Sequence, residues 1–421
     1  MVGGDQRRQR LRRRALGVFR RRPPGAPRAR PRDVPLVDTL LVQTDEALAA
    51  AAQRWAAAPA VALDTEFVRE RTFYQKLGLV QVAAEDAVWL VDPIAVRDLQ
   101  PVVDLLSAPS TLKVLHSVSE DIEVFHHTLG AEPRPLFDTQ VGAALAGIGP
   151  ALGYARLVAT LLEVELHKGE TRTDWLRRPL TEAQLAYAAE DVVHLLPLYR
   201  LLRRRLEEQG RLAWALADSA ALADTGRFAA APERAYLRLR GAGRLGRRQL
   251  AALRELAAWR ESEARRRDVP RRFLLRDDLM LALASRQPKS LRELERLPSY
   301  DPRHGSRDAG TWLEILERAA ALPDRDLPAE VWRFPDDSRL EKLAERLRES
   351  VRATAAQLGI QPEALVARRS LEALLRSAVE NGRAELPPEL DGWRREVIGE
   401  ALLRQVESTA DLGRDPSLRS G

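Results

Sequence analysis

The sequence predicts a molecule in parts: an α/β layer with a mixed sheet flanked by helices over about 37–214, followed by one or two all-α bundles. Three observations carry this. Between residues 61 and 138, short Val-, Leu- and Ala-rich runs alternate with amphipathic stretches, the pattern of strands layered against helices. From about residue 243 onward no convincing strand occurs, and helical stretches are broken by Pro, Gly and Asp. The chain's 421 residues exceed one ordinary domain, and 45% hydrophobic content suffices for several cores.

The elements follow in order. Thr44 reads as the cap of a first helix over Asp45–Ala58. Val61–Phe67, Leu77–Ala84 and Ala87–Val91 read as strands, with a tight turn at Glu85-Asp86 between the last two. Pro101–Leu106 reads as helix and Leu112–His116 as a short buried strand. Ser117-Val-Ser-Glu120 has the form of a capping box, opening a helix that stops before Gly130, and Leu136–Asp138 is a further strand. Thr181-Glu-Ala-Gln184 is a second capping box, starting a long helix through Tyr199 and Arg203–Arg205 with a kink at Pro197. The Ala-, Asp- and Gly-rich stretch after Ala215 suggests a linker over 215–242. Two bundles are expected over 243–322 and 330–412, meeting near Pro323–Pro328, and Trp312 and Trp393 hint at a repeat between them.

Composition bounds the chemistry. Cysteine is absent, which removes disulfides, thiolate metal sites and cysteine nucleophiles together. A metal must therefore use carboxylate, imidazole or backbone oxygen, and hard oxygen ligands favour Mg²⁺ or Mn²⁺. No apolar run reaches the eighteen residues of a membrane span, so a soluble, cytoplasmic monomer is expected. The pI of 9.9 suggests a nucleic-acid binder. Yet residues 1–32 hold twelve Arg and one acid, a charge of +11, which leaves −5 for the rest. The basicity thus belongs to a tail, 1–36, expected to be disordered; it could be a phosphate-binding arm, a transit-like segment or an upstream extension.

Four carboxylates and a tyrosine stand out. Asp64 and Glu66 are two apart at the end of an apolar strand, so they share a face about 6.6 Å apart along the chain, while Val61, Leu63, Thr65 and Phe67 point into the core. Uncompensated paired anions repel, and divalent cations are the natural compensation, although a strand end exposed to solvent also fits. Asp121 lies in the first turn of its helix, where the helix dipole alone would favour an acid. Tyr187 and Asp191 are four apart on one largely apolar helix face, where the tyrosine also fits as a core aromatic.

The ensemble resembles the DEDD exonuclease superfamily, in its tyrosine branch, and within it ribonuclease D. The matching segments are Asp64-Thr-Glu-Phe-Val68, Lys76-Leu-Gly-Leu-Val-Gln-Val82, Leu115-His-Ser-Val-Ser-Glu-Asp121, Lys168 through Leu180, and Tyr187-Ala-Ala-Glu-Asp191. Val269 through Asp278 resembles the helicase-and-RNase-D C-terminal (HRDC) domain. Ser117 stands where many superfamily members have Asn. The resemblance implies a ribonuclease-H-like exonuclease domain followed by HRDC-type bundles. It also implies two divalent ions about 3.5–4 Å apart on Asp64, Glu66, Asp121 and Asp191, with Tyr187 placing the attacking water. The implied reaction is stepwise release of 5′-mononucleotides from RNA 3′ ends, typically of tRNA precursors.

Strand binding calls for cations and stacking surfaces. Lys168, Arg172 and Trp175, with Arg177 and Arg178, form one candidate set, although a solvated loop with a structural Trp fits equally. Arg265–Arg267 with Arg271, Arg272 and Arg276 form a second. His126-His127 do not suit one shared ion, because adjacent helix positions diverge. A DNA 3′–5′ exonuclease is the alternative enzyme, and a non-catalytic HRDC-type nucleic-acid binder the third reading. A helicase is excluded, since no phosphate-binding G-x-x-x-x-G-K-[ST] loop occurs.

Overall fold

The computed structural model describes residues 38–409 apart from 85–86, 167–172, 228–230, 303–306, 330 and 332–336. The basic tail, the Glu85-Asp86 turn, Lys168 and Arg172 lie outside the described residues.

A six-stranded mixed sheet organises the first part. Its strands are β1 (Asp38–Val42), β2 (Ala60–Val68), β3 (Lys76–Ala83), β4 (Ala87–Val91), β5 (Leu112–Leu115) and β6 (Leu136–Asp138). Their order is β1-β4-β3-β2-β5-β6, with β2, β3 and β4 antiparallel neighbours and the other pairings parallel. The edge strand β1 was missed in the sequence because Asp38 and Thr39 mask a short apolar run whose residues Leu40 and Leu41 remain exposed.

Each sheet face carries its own core. On one, Leu63, Val80, Val82 and Trp89 pack against α1 (Asp45–Ala57), α2 (Gln100–Ser107) and α3 (Ser119–Leu129). On the other, Ala62, Leu79, Leu90 and Phe137 meet α4 (Thr139–Leu145), α5 (Tyr154–Leu161), α6 (Glu182–Val193), α7 (Leu195–Glu208) and α8 (Leu212–Leu222). Thr44 caps α1 by accepting from the Ala47 amide at 3.2 Å, and the Thr181/Gln184 capping box forms at α6.

Two expectations about helix ends need correction. The Ser117–Glu120 capping box does not form. Ser117 takes a left-handed φ of 57°, and Asp138 at the end of β6 accepts from the Ser117 and Val118 amides at 3.3 and 3.0 Å. Asp138 also caps α4, so one carboxylate satisfies both turns. The long helix from Thr181 is two helices, divided at His194 rather than kinked at Pro197. Proline lacks the N–H that would reach the Val193 carbonyl, so the chain restarts ahead of it and places Pro197 in a first turn.

The expected linker is likewise overturned in large part. α8 packs on β6 and α4, with Ala215 and Ser219 wholly buried. Small side chains that look like linker composition permit that close approach. The 3₁₀ segment Pro232–Arg238 belongs to the first bundle, where Tyr236 is buried.

That bundle is built on α9 (Arg247–Arg267), with α10 (Arg271–Leu274), α11 (Asp277–Arg286), α12 (Leu291–Leu294) and α13 (Ala309–Ala320). The second comprises α14 (Ser338–Leu358), α15 (Pro362–Leu365), α16 (Arg368–Asn381) and α17 (Glu400–Glu407). Trp312 and Trp393 each pack on the core of their own bundle but differ in their other surroundings. Trp312 is buried in the first bundle's core, whereas Trp393 stacks on Trp214 of α8, 4.3 Å apart and 4° from parallel.

Both bundles are tied to the α/β part by charge as well as area. Arg394 forks onto Asp218 at 2.6 and 2.8 Å, and the Trp393 indole donates to the same carboxylate at 3.0 Å. Asp268, in left-handed conformation at the end of α9, accepts from the Phe73 and Tyr74 amides at 2.9 and 3.0 Å.

Candidate active site

β2 outruns its neighbour. It pairs with β5 only through Ala62↔Val114, so Leu63 to Val68 project past the point where β5 turns toward α3. Asp64 and Glu66 stand on this overhang, on the face covered by α6, which brings Tyr187 and Asp191. Asp121 arrives from the other face, in the first turn of α3.

Thr65 joins the two sides. Its side chain points away from Asp64, as alternation requires, but it does more than fill core. Its hydroxyl donates to the Asp121 carboxylate at 2.6 Å. The sequence reading placed Thr65 among apolar core positions and missed this. The signal was there: a hydroxyl on the apolar side of a strand otherwise lined by Val, Leu and Phe.

The electrostatics are those of crowded, uncompensated anions. Burial raises the Asp64 pKa well above the carboxylate range, and the charges of Asp121, Asp191 and Glu66 push it further. Glu66 is pushed up to about 8 by burial and by Asp191 and Asp121. Asp121 and Asp191 rise to about 7, again chiefly through burial, against the restraining hydrogen bonds from Thr65 and Tyr187. Among the described residues no Arg or Lys forms an ion pair with any of the four. The Tyr187 phenol is held neutral, its pKa raised by burial and by Asp191 and Glu66, so it is a hydrogen-bond donor rather than a base.

The four acids are thus close enough to perturb one another, yet among the described residues no three acid or imidazole side chains converge on a common point as ligands. Asp121 is turned to Thr65 and Asp191 to Tyr187. The donor set fits divalent cations: all hard oxygen, raised in pKa, without a competing cationic side chain. A further residue, Tyr154 of α5, lies half-buried beside the site. Its hydroxyl donates to the Glu190 carbonyl at 3.0 Å, and its pKa is raised by burial and then by Asp191. Sequence spacing gave no sign of it.

The strand-binding candidates fare differently. Trp175 is buried and leans on the Tyr187 ring with centroids 6.2 Å apart, so it cannot offer a stacking face to a base. Gly78 lets it in, since a Cβ there would lie 2.7 Å from the Trp175 carbonyl oxygen. Arg178 is a strut, bonded to Asp92 at 2.6 and 2.7 Å and to the Gly78 carbonyl at 2.7 Å. On α9 and α10 the arginines are largely matched by acids that the sequence reading left out of account. Arg271 and Arg265 hold Glu261 at 2.7 and 3.0 Å, Arg266 and Arg267 hold Glu263, and Arg267 also reaches Asp308 at 2.8 Å. Arg272 is exposed, beside the half-exposed Phe273 ring. His126 pairs with Glu132 at 3.0 Å, and His127 turns to the Tyr74 ring.

Known proteins extend this picture. Residues 40–207 match the 3′–5′ exonuclease family model, and residues 249–316 match the HRDC domain. Ribonuclease D of Pseudomonas paraeruginosa is 43% identical over 367 residues, covering 87% of this chain and 97% of that protein. Ribonuclease D of Escherichia coli is 38% identical over 366 residues, covering 86% and 96%. The crystal structure of Escherichia coli RNase D superposes with a TM-score of 0.81 at 36% identity, covering 88% of this chain and 99% of that one. Fold and relatives together define a 3′–5′ exoribonuclease that depends on divalent metal and acts on RNA. The chain belongs to the ribonuclease D family. No helix among the described residues is long and apolar enough to cross a membrane.

Proposed function

We propose that this exoribonuclease trims the single-stranded 3′ ends of structured RNAs, tRNA precursors in particular, at the site formed by Asp64, Glu66, Asp121, Asp191 and Tyr187. The observation that supports the placement is the crowding of the four carboxylates around the end of β2, where their charges and burial shift all of them upward and no cation among the described residues pairs with them. Asp64, Glu66, Asp121 and Asp191 would hold two Mg²⁺ or Mn²⁺ ions. Bound there, such ions neutralise charge on the scissile phosphate and acidify the attacking water.

The chain's own groups set the geometry. Tyr187, a neutral donor one turn before Asp191, orients the water for in-line attack on the last phosphorus. The P–O3′ bond breaks, and a 5′-mononucleotide leaves. Thr65 keeps Asp121 aimed at the overhang of β2. Arg272, with Phe273 beside it, serves as a phosphate or base contact on the first bundle, and Lys168 and Arg172 are assigned the same role on their charge alone. The Escherichia coli relative is described as an exoribonuclease involved in structured RNA processing, which supports this substrate class. We read the protein as a cytoplasmic monomer, with the nuclease domain followed by two HRDC-type domains.

End-labelled RNA and DNA of one sequence, with or without a tRNA-like stem, offered with Mg²⁺, Mn²⁺ or EDTA, test the reading. Stepwise shortening of RNA from the 3′ end, only with metal and stopping at the stem, is expected. Equal digestion of DNA, or digestion in EDTA, would overturn it.

A further inference from the structure

We propose that the cleft between the α/β part and the first helical bundle is a second binding site for the RNA strand, holding its sugar-phosphate chain upstream of the reacting 3′ end. The proposal rests on the exoribonuclease reading for the identity of the ligand. The cleft encloses about 400 Å³. One wall is Arg69, Phe73 and Tyr74, between β2 and β3, with Glu123 of α3. The other is Arg234 and Arg238 of the 3₁₀ segment, with Glu261 and Arg265 of α9 and Arg271 of α10.

Charge selects the ligand class. Five arginines face two glutamates, and the pairing is uneven. Glu123 takes Arg69 at 3.0 Å, and Glu261 takes Arg271 and Arg265. Arg234 and Arg238 are exposed, and neither has an ion-pair or side-chain hydrogen-bond partner among the described residues. A cleft with uncompensated guanidinium groups on one wall attracts phosphate.

The floor is aromatic, which a site for a bare anion would not need. Phe73 is buried beneath the Arg271 guanidinium, 4.5 Å from its ring centroid, and braces the half-buried Tyr74 edge-on at 4.9 Å. Tyr74, flanked by Phe73 and by His127 at 4.8 Å, lines the same cleft as two arginines without an ion pair among the described residues, and an aromatic ring with cations is the combination that holds single-stranded nucleic acid. The Asp268 bonds to the Phe73 and Tyr74 amides fix this floor to the helical bundle, so both parts build the site.

Position links the cleft to the chemistry. β2 carries Asp64 and Glu66 and runs on to Arg69, at most roughly 10 Å further along the chain. α3 carries both Asp121 and Glu123. A strand whose 3′ end lies on the acids therefore passes within reach of Arg234 and Arg238 as it leaves.

The test uses the full chain with Arg234→Ala and Arg238→Ala combined, side chains that stabilise no ion pair. Binding of a labelled single-stranded RNA of about twelve nucleotides, within the usual site size, is measured in EDTA over a salt series. The affinity is expected to fall about tenfold and the slope of log K against log salt to shrink by about 1 to 2. Hydrolysis of a dinucleotide with Mg²⁺ should be unchanged, and the double Arg→Lys variant should keep the parent's salt slope. RNA affinity and slope equal to the parent's would overturn the proposal, as would an equal loss on the dinucleotide. Failure of the parent to hydrolyse RNA would strike the exoribonuclease reading alone, because binding in EDTA still decides the cleft.

Discussion

Around the end of β2 four carboxylates lie close enough to perturb one another, without an ion-paired cation among the described residues, whereas along α9 every glutamate is matched by an arginine. The consequences are opposite. Glu66 is pushed up to about 8, while Glu263, hydrogen-bonded first by Arg266 and then by Arg267, is held down to about 2. Glu261, despite its burial, is also held below its usual range by Arg271 and Arg265. A paired cluster lowers its own free energy and so supports the fold. An unpaired one raises it, which is the expected cost at a site that a ligand from outside the chain would complete. Arginine density alone is therefore a poor guide to a nucleic-acid surface, whereas anion density without partners marks a candidate site for cations.

The largest expected effect breaks the comparison at the acid cluster. Asp64→Asn should lower exonuclease activity by about 1,000-fold or more, because the carboxylates act as a unit, yet leave the metal-free protein at least as stable as the parent at pH 8. Circular-dichroism melting in EDTA beside a labelled-RNA assay reads both; substantial activity, or a clearly lower Tm, would contradict it. The same assay carries a pH dependence. The folded pKa of Glu66 is about 8 and its ordinary value 4.5, so between them the folded state binds the extra proton. Stability in EDTA is then fully present below about pH 4.5 and is lost as pH rises through about 8. Divalent metal should abolish that decline.

Arg267→Ala attacks the paired cluster instead. It strips a partner from Glu263 and Asp308, both largely shielded, and should cost about 2 kcal/mol of stability by denaturant unfolding. Per-molecule activity on a dinucleotide should stay normal. An unchanged unfolding midpoint would mean the pairs along α9 are ornamental.

The smallest effect sharpens the site. Thr65→Val keeps shape but removes the hydroxyl that holds Asp121, and should lower kcat about tenfold, the worth of one such hydrogen bond. Thr65→Ser should restore it, with the Mg²⁺ dependence returning to the parent's. Equal activity of the Val and Ser variants would reduce Thr65 to a core residue.

How much of this was legible varies by residue. Asp64 with Glu66, and Tyr187 with Asp191, lie on shared faces by strand and helix periodicity alone, and both were readable. Asp121 was readable only by resemblance, since Glu120 and Glu123 have equal standing by spacing. The Thr65 bond to Asp121 crosses the sheet and Tyr154 reaches the Glu190 carbonyl from a separate helix, so a local pattern shows at most an out-of-place hydroxyl at Thr65 and nothing of either partner. Trp175 beside Arg177 and Arg178 looked like a strand-binding motif, and became a buried ring and a strut, because burial is decided by partners distant in sequence.

By itself the sequence determined the α/β-then-helical order, the absence of thiol chemistry and the two same-face pairs of candidate site residues, all properties of composition and local period. Only the tertiary structure decided which arginines keep their charge and which spend it on Glu261, Glu263 and Asp92. It alone turned the apparent linker into α8 and a wall of the cleft. Charge compensation and burial are pairwise quantities set by distance in space, and the chain's order fixes that distance only after it has folded.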